Sequence, residues 1–569
     1  MANGFGSMYI GSSGLQAAQN ALNTTANNIA NVGTKGYVRQ QVRFSDRSYD
    51  KLKDPTTVTN AHQSGLGVSI GDVVHARDVF LDKTYRLESG REAFYSTCYE
   101  TTSYIEDLLQ ELDGEEFKQS VEDLWTAFQE LSKTPADSVV QNLVAQKAEL
   151  LLSRSENLYE DLKSYQVNID GQIKDDVTEI NKIGDRIYEL NLEIQKVESN
   201  RMETAMTLRD ERDQLLDDLA GFANINVRED ETGFVFVTIE GVDFINEQQC
   251  FHMGTVSDKV TGFARVIWPH FSDEENGIHV DVFRLDGDIS SESNTDVGEL
   301  KAKLLMRGDE YGIYSDLLTT DAYRKIEDKA IIETQAQVDL LFHEIVTTMN
   351  DIFCPNKEIT LNSEITVNGI TYKKGDTIKV LDEENASVGA DGELPPRELF
   401  ERMGTERYTK MTVDGKEYYV YNEANPEDPN TLYRIGNLQI NPEIVKQVTL
   451  LPAFTQNGAV DFALGEKLAG AWAIQGMHIS PDDQYPCTFQ EFYDKMIGKI
   501  GTDGSIYKSS RDTMTDTVNA VDNSRQQIIG VSSDEELTKL IKYQSAYNAS
   551  SRFMTVISQM TELIVTGLI

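Results

Sequence analysis

No two of the four cysteines, Cys98, Cys250, Cys354 and Cys487, lie within a hundred residues of each other. There is no CxxC pair, so neither a zinc ribbon nor a dithiol redox motif is indicated, and buried or partly buried thiols are expected. Long apolar runs are missing too: nothing approaches the roughly 18 residues that a membrane span requires. The amino-terminal stretch has neither the basic leader nor the continuous apolar core of a secretory signal. Any export is therefore expected by a route that needs no cleaved leader of that kind. Basic residues are scarce. Against 94 Asp and Glu stand 52 Lys and Arg, a net charge of −42 over 569 residues. Such a polyanion repels phosphate backbones and anionic lipid, which argues against nucleic acid and membrane as partners. The charge reads instead as solubility at high local concentration. The length suggests three or four domains.

Charge is absent from one place in particular. The first 34 residues contain no Asp, Glu, Lys or Arg, although 26% of the chain is charged. Met8, Gly11, Leu15, Ala18, Leu22, Thr25, Ile29 and Val32 alternate three and four apart, which predicts one face of a helix with small residues that permit close approach. Its other face is Asn, Gln, Ser and Thr, tolerable in a buried setting when hydrogen-bonded. Gly33-Thr34-Lys35-Gly36 ends it. The far end is similar. Ser533 or Asp534 can cap a helix, with Glu535 and Glu536 in its first turn. Leu540, Tyr543, Tyr547, Ser550, Met554, Ile557, Thr561, Ile564 and Leu568 follow at the same spacing, and a second stripe of Phe553, Val556, Met560 and Leu563 widens the apolar face. From Tyr543 onward only Arg552 and Glu562 are charged. These stripes fit either an intramolecular pair of helices or helices covered by neighbouring subunits.

Between the ends lies a second helical layer. From about Ala93 to Ala220 the only proline is Pro135. Leu162, Tyr165, Ile169, Ile173, Val177, Ile180, Ile183, Ile187, Leu190, Ile194 and Val197 form a stripe opposite an acidic and basic face, which predicts a long helical bundle or rod. Leu300 to Phe353 and Phe489 to Ser524 also read as helical, the latter able to pack back on the same bundle. Two segments read as β. One is Ile225 to Val297, with "GFVFVTIEGVDFI" and a turn signal at Asp286-Gly287. The other, Asn356 to Leu451, contains "EITVNGITYKKGDTIKV", a hairpin turning at Asn368-Gly369. The fold class expected is multidomain α+β: a terminal coiled coil from 1–40 plus 530–569, a helical bundle from 41–222, 298–353 and 452–529, a β-rich outer module at 223–297, and a β-rich variable insertion at 354–451.

Catalytic patterns are few. His343-Glu344 opens a metalloprotease-like string, but Thr347 stands where the second His belongs, and a surface pair on a helix is expected. Gly65-Leu66-Gly67 with Gly71 is one residue off a dinucleotide loop and lacks its strand–turn–helix setting. There is no GxxxxGK[ST] loop and no GxSxG elbow. The acidic stretch Asp382 to Glu393 does not match a calcium loop, and seven scattered histidines give no metal spacing. No catalytic, cofactor-binding or metal site is expected, and no cofactor.

"SGLQAAQNALNTTANNIANVGTKGYVRQ" resembles the amino-terminal motif of the bacterial flagellar axial proteins, which include the rod, hook and hook-associated proteins. Arg39-Gln40 after Gly36-Tyr37 is most similar to the hook-associated protein 1 branch, although Lys35 stands where a Pro usually precedes the Gly. "GLGVSIGDVVHARDVFLDKTYRLE", "LRDERDQLLDDLAGFANINV", "NLQINPEIVKQVTLLP" and "NSRQQIIGVSSDEELTKLIKYQSAYNASSRFMTVISQMTELI" are similar to later family segments; about Asn356 to Thr431 is least matched. The resemblance implies a structural protein of the hook–filament junction, without enzymatic activity. It also implies export through the flagellar type III apparatus and a brief cytoplasmic stage before an extracellular one. Self-assembly into a ring at the hook tip would follow, against the hook protein and a second hook-associated junction protein. Leu15, Ala18, Leu22, Thr25, Ile29, Val32, Leu540, Tyr543, Tyr547, Met554, Ile557, Ile564 and Leu568 would then form a subunit interface. A cytoplasmic export chaperone would bind Tyr547, Phe553, Met554, Ile557, Met560, Leu563 and Ile564. Arg39 and Gln40 would lie at the bend leaving the first helix. Two alternatives stand beside this reading: a hook or distal-rod protein, and a soluble enzyme using the inserted β module.

Overall fold

The computed structural model describes the chain except residues 1, 2, 35, 47–49, 54–60, 65, 66, 111–116, 200–203, 274, 275, 368, 426, 427, 568 and 569. Its helices, in chain order, are α1 (Asn3–Ala30), α2 (Val79–Gln110), α3 (Phe117–Lys133), α4 (Ser138–Glu198), α5 (Met206–Phe222), α6 (Glu299–Arg307), α7 (Thr320–Ile326), α8 (Ala330–Phe353), α9 (Pro442–Lys446), α10 (Phe462–Ala471), α11 (Phe489–Ile529) and α12 (Ser533–Gly567). Small antiparallel sheets are inserted between them.

The longest element is α4, 61 residues, or about 90 Å at 1.5 Å per residue. Asp137 starts it, its carboxylate accepting from Val139 N at 2.9 Å, so one of the orphan amides of the first turn is satisfied. Ile173, Ile180, Ile187, Leu190 and Ile194 are fully buried along one stripe, and α4 as a whole packs against α3, α5, α6, α8 and strands of the first β segment. The second long pair is α2 with α11. They run antiparallel: Tyr493 Oη donates to Leu109 O at 2.6 Å near one end, and Thr515 Oγ1 donates to Glu92 at 3.3 Å nearer the other. Thr488 and Glu491 form a reciprocal cap at the start of α11, with bonds of 3.3 and 2.9 Å between each side chain and the other's amide. The carboxyl-terminal helical segment does fold back on the amino-terminal one.

Several boundaries differ from the sequence expectation. The strands Gln40–Asp46 and Val68–His75 pair with each other and lie chiefly on α1, with the His75 end reaching α5. Gly67 has φ +88, and a β-carbon there would collide with Ser13 Oγ, so glycine lets this hairpin sit flat on α1. The first β segment forms a three-stranded sheet, Ile225–Glu229, Val235–Ile239 and Val242–Ile245, and a hairpin, Gly254–Ser257 with Ala264–Ile267. It has no separate core: Val237, Phe244 and Trp268 belong to the same buried cluster as the α4 isoleucines. The second β segment divides in two. Strands Asn356–Thr360, Thr377–Leu381, Lys416–Tyr421 and Tyr408–Val413 make a sheet with its own small core of Leu361, Val367, Ile378, Val380, Val413 and Val420. Leu399, Phe400, Tyr433 and Leu438 instead join the main core. The expected hairpin is present, Ile365–Val367 against Ile370–Tyr372 with Gly369 at φ +81; Asn368 lies outside the described residues.

The surface pair expected at His343-Glu344 is corrected. His343 is largely covered, hydrogen-bonds Tyr433 O at 2.7 Å and stacks on Tyr314 at 3.8 Å. Burial lowers its pKa. It holds α8 to a neighbouring loop, because the apolar face of α8 is wide enough to enclose it.

Candidate assembly surface

The first and last helices, about five hundred residues apart in sequence, pack against each other over most of their length. The register is antiparallel. A β-carbon on Gly11 would fall 2.6 Å from Met554 Sδ, and one on Gly14 would fall 2.9 Å from Ser550 Oγ. Further along, Asn28 Nδ2 donates to Glu536 at 3.0 Å. Glycine at 11 and 14 therefore sets the separation of the two helices here: a larger side chain at either would force the backbones apart.

Asn28 is the polar centre of this pairing and is almost completely buried. Its Nδ2 donates to Gln40 O at 2.9 Å as well as to Glu536, and its Oδ1 accepts from Tyr37 Oη at 2.8 Å and from Gln40 N at 3.0 Å. All four hydrogen-bonding positions of the amide are used. Glu536 is itself buried and is neutralised by Lys539 at 2.6 Å. Burial raises the Tyr37 hydroxyl to about 12, helped by Asp210 and Glu536. Tyr37 therefore stays a neutral donor at ordinary pH. The cap of α12 is Ser532, one residue before the expected pair: its carbonyl accepts from Glu536 N at 3.0 Å.

Arg39 and Gln40 do lie where the chain leaves α1. Arg39 N donates to Ile529 O at 2.8 Å, Arg39 O accepts from Ala76 N at 3.0 Å, and the guanidinium pairs with Glu535 at 3.2 Å. The turn needs Gly36, whose φ is +82 and whose β-position is occupied by the Gln214 side chain. Just beneath, α2, α5 and α11 of the helical frame are joined by alternating charges. Arg77 pairs with Asp82 and Asp213, Arg86 with Asp217, and Arg525 with both Asp82 (3.0 Å) and Asp217 (2.6 Å) while stacking over Tyr85. These pairs are mostly buried and share partners, so losing one charge would strand another. Beside them His75 Nε2 faces Asp210 Oδ1 at 3.4 Å. Burial holds the histidine down to about 4 and pushes Asp210 up to about 7.

The expected interface residues fall into three groups. Ala18 and Thr25 are buried inside the α1–α12 pair, and Leu15, Leu22, Ile29, Leu540, Tyr543, Tyr547, Met554 and Ile557 are half-buried along it. Val32 and Ile564 are exposed. Leu568 lies outside the described residues. What remains open is a second face of α12: Phe553, Val556, Met560, Leu563, Ile564 and Val565, with Leu563 72% accessible. Tyr9 and Ile10 on α1 are exposed as well. The second stripe is legible in the residue spacing, whereas the role of Asn28 is not, because it depends on a partner five hundred residues away.

Three family models match the chain. Residues 8–37 match "Flagella basal body rod protein", and residues 525–566 match the carboxyl-terminal domain of "Flagellar basal body rod FlgEFG protein". These two matches cover the paired terminal helices and define the class, a flagellar axial protein. Residues 102–364 match "Flagellar hook-associated protein FlgK helical domain". Flagellar hook-associated protein 1 of Bacillus subtilis is 25% identical over 97% of this chain and 96% of its own length. The Salmonella typhimurium protein of that name is 23% identical over 95% and 96%. A solved structure titled as the flagellar hook junction protein FlgK from Burkholderia pseudomallei overlaps with TM-score 0.47 at 12% identity, covering 78% of this chain and 99% of that one. Over nearly its whole length the chain is similar to flagellar hook-associated protein 1, and its central helical part matches that protein's family model. It is a structural protein of the flagellum, not an enzyme.

Proposed function

We propose that this protein forms the junction between hook and filament, with the α1–α12 pair as the inner layer of a ring of copies at the hook tip. The observation that carries this reading is the open stripe of Phe553, Val556, Met560 and Leu563 on a helix with only Arg552 and Glu562 charged after Tyr543. Such a face loses free energy in water and gains it when a neighbour covers it, at roughly 25 cal/mol per Å² of apolar surface removed. Neutral amides on the flanks allow that cover, where an unpaired charge would cost several kcal/mol. The hook protein would lie on one side of the ring and a second hook-associated junction protein on the other.

Export through the flagellar type III apparatus precedes assembly in this reading, with a cytoplasmic chaperone on α12. Of the seven residues assigned to the chaperone, Tyr547, Met554 and Ile557 face α1, Phe553 lies at its edge beside Gly11, and Met560, Leu563 and Ile564 are exposed. A chaperone that takes all seven must separate the two helices. Chaperone binding and the paired state then exclude each other, which keeps the chain unassembled until it is outside the cell.

Deletion of the gene is expected to leave hooks without filaments and to release flagellin monomers into the medium. Normal filaments on such cells would refute the junction role. A position along the hook or in the distal rod is the second reading, favoured by the two rod-type matches at the ends; immunogold labelling along the whole hook, rather than at its tip, would support it.

A further inference from the structure

A cluster of possible metal ligands lies where the 223–297 segment crosses α4. On α4, Asn181, Gly184, Asp185 and Tyr188 are spaced so that all four share one face. Asn181 holds Met253 through paired bonds of 2.9 Å to its amide and carbonyl, and Tyr188 Oη donates to Gln248 O at 3.0 Å. Phe251 N also donates to Phe244 O at 2.7 Å. The segment 248–253 is thus pinned to the helix on both sides. Between the pins, a β-carbon on Gly184 would fall 2.8 Å from Cys250 Sγ and collide with Phe244. Glycine at 184 is what lets the sulfur lie against α4, beside Asp185. His252 then places Nε2 at 2.8 Å from Asp185 Oδ1. The sulfur, an imidazole nitrogen and a carboxylate oxygen all lie within 4.8 Å of one another.

We propose that Asp185, Cys250 and His252 bind a zinc-class transition-metal ion. Tetrahedral zinc with bonds of about 2.0–2.3 Å holds its ligand atoms about 3.3–3.8 Å apart, so the His252–Asp185 pair at 2.8 Å opens slightly and the longer separations, up to 4.8 Å, close by roughly an ångström through side-chain rotation. One thiolate, one imidazole and one carboxylate favour zinc over magnesium or calcium, which require oxygen cages. His252 and Asp185 are each about half accessible, which gives the ion an entry path and leaves a fourth position for water. On binding, the Cys250 thiol gives its proton to solvent and the sulfur lone pair makes the metal bond. The ion would tie the β segment to α4 across a contact that otherwise relies on packing and a few hydrogen bonds.

The test uses the full-length reduced protein, freed of metal, in excess Mg²⁺. One equivalent of Zn²⁺ is expected to bind in competition with a chromogenic chelator, and Co²⁺ is expected to give a thiolate charge-transfer band. Cys250→Ser should abolish the band, and His252→Gln should weaken Zn²⁺ binding by at least about tenfold, since even residues that only orient ligands cost that much. Zn²⁺ should raise the thermal midpoint of the wild type and not that of His252→Gln. His252 is exposed enough that its variant is not expected to perturb folding. Absence of the cobalt band in the wild type, or equal Zn²⁺ affinity in wild type and His252→Gln, would overturn the proposal.

Discussion

The helices α4 and α12 have similar apolar periodicity and opposite fates. Along α4 the stripe from Leu162 to Ile194 is closed by other parts of the same chain, and Ile173, Ile187 and Leu190 have no accessible surface. Along α12 one stripe is half-closed by α1, and the second stays largely exposed from Val556 to Leu563. The charge pattern separates them: α4 faces water with Asp, Glu and Lys, whereas the second half of α12 has amides and hydroxyls there. An apolar stripe backed by charge is finished within the chain. One flanked by neutral polar residues is waiting for a neighbour.

The sharpest way to break that contrast is to place a charge on each helix. Ile187→Asp buries an uncompensated carboxylate in the frame and should cost about 4 kcal/mol or more, seen as a large drop in the urea midpoint of the central domains. Leu563→Asp should change stability by less than about 0.5 kcal/mol and yet prevent incorporation into the flagellum. Equal losses of stability in the two variants would erase the distinction. Next, Leu22→Asp or Ile557→Asp on the half-closed seam should open the terminal pair while the frame stays folded. Circular dichroism would lose helix with the main unfolding transition unmoved, and assembly would be blocked. Full assembly of either variant would show that the seam is dispensable.

A smaller effect is expected at the polar centre of the pair. Asn28→Ala leaves Glu536, Tyr37 and the Gln40 backbone without a shared partner, at about 1–3 kcal/mol for each buried group left unpaired. Hydrogen exchange in α1 should rise by the corresponding factor, and exchange in α4 should not. The smallest effect is at the joint between the two regions. Asp210 is held at about 7, above its ordinary value of 3.8. The stability it contributes is complete below that ordinary value and is lost as pH rises through about 7, on the order of 2 kcal/mol. His75, held near 4, acts in the opposite sense at the acid end. Val38 N, Arg77 and His75 are the groups that face the carboxyl. Proteolysis near residues 37–39 should therefore accelerate relative to Asp210→Asn as pH rises from about 4 to 7, and the ratio of the two rates should level off above 7.

Much of this was legible in the residues. The 3–4 spacing of Leu15 to Ile29 and of Leu540 to Ile557 marked both terminal helices, and the missing charges marked them as unusual. The α4 stripe was legible because its period runs unbroken over nine turns or more. The boundary at 41–78 was misplaced, since two short strands resting on α1 look locally like any other hairpin. The shared core of the 223–297 segment was missed for a related reason: alternation shows that one face is buried, not what buries it. Cys250 and His252 are two residues apart, a spacing that says little until Gly184 allows Asp185 alongside.

The sequence by itself determined the helices, the turns that need glycine, and which surfaces avoid charge, because each is a property of local spacing and side-chain chemistry. Tertiary structure alone decided the partners: Gly11 with Met554, Asn28 with Glu536, Asp185 with Cys250. Those contacts join residues tens to hundreds of positions apart, and only the packed backbone sets their distances.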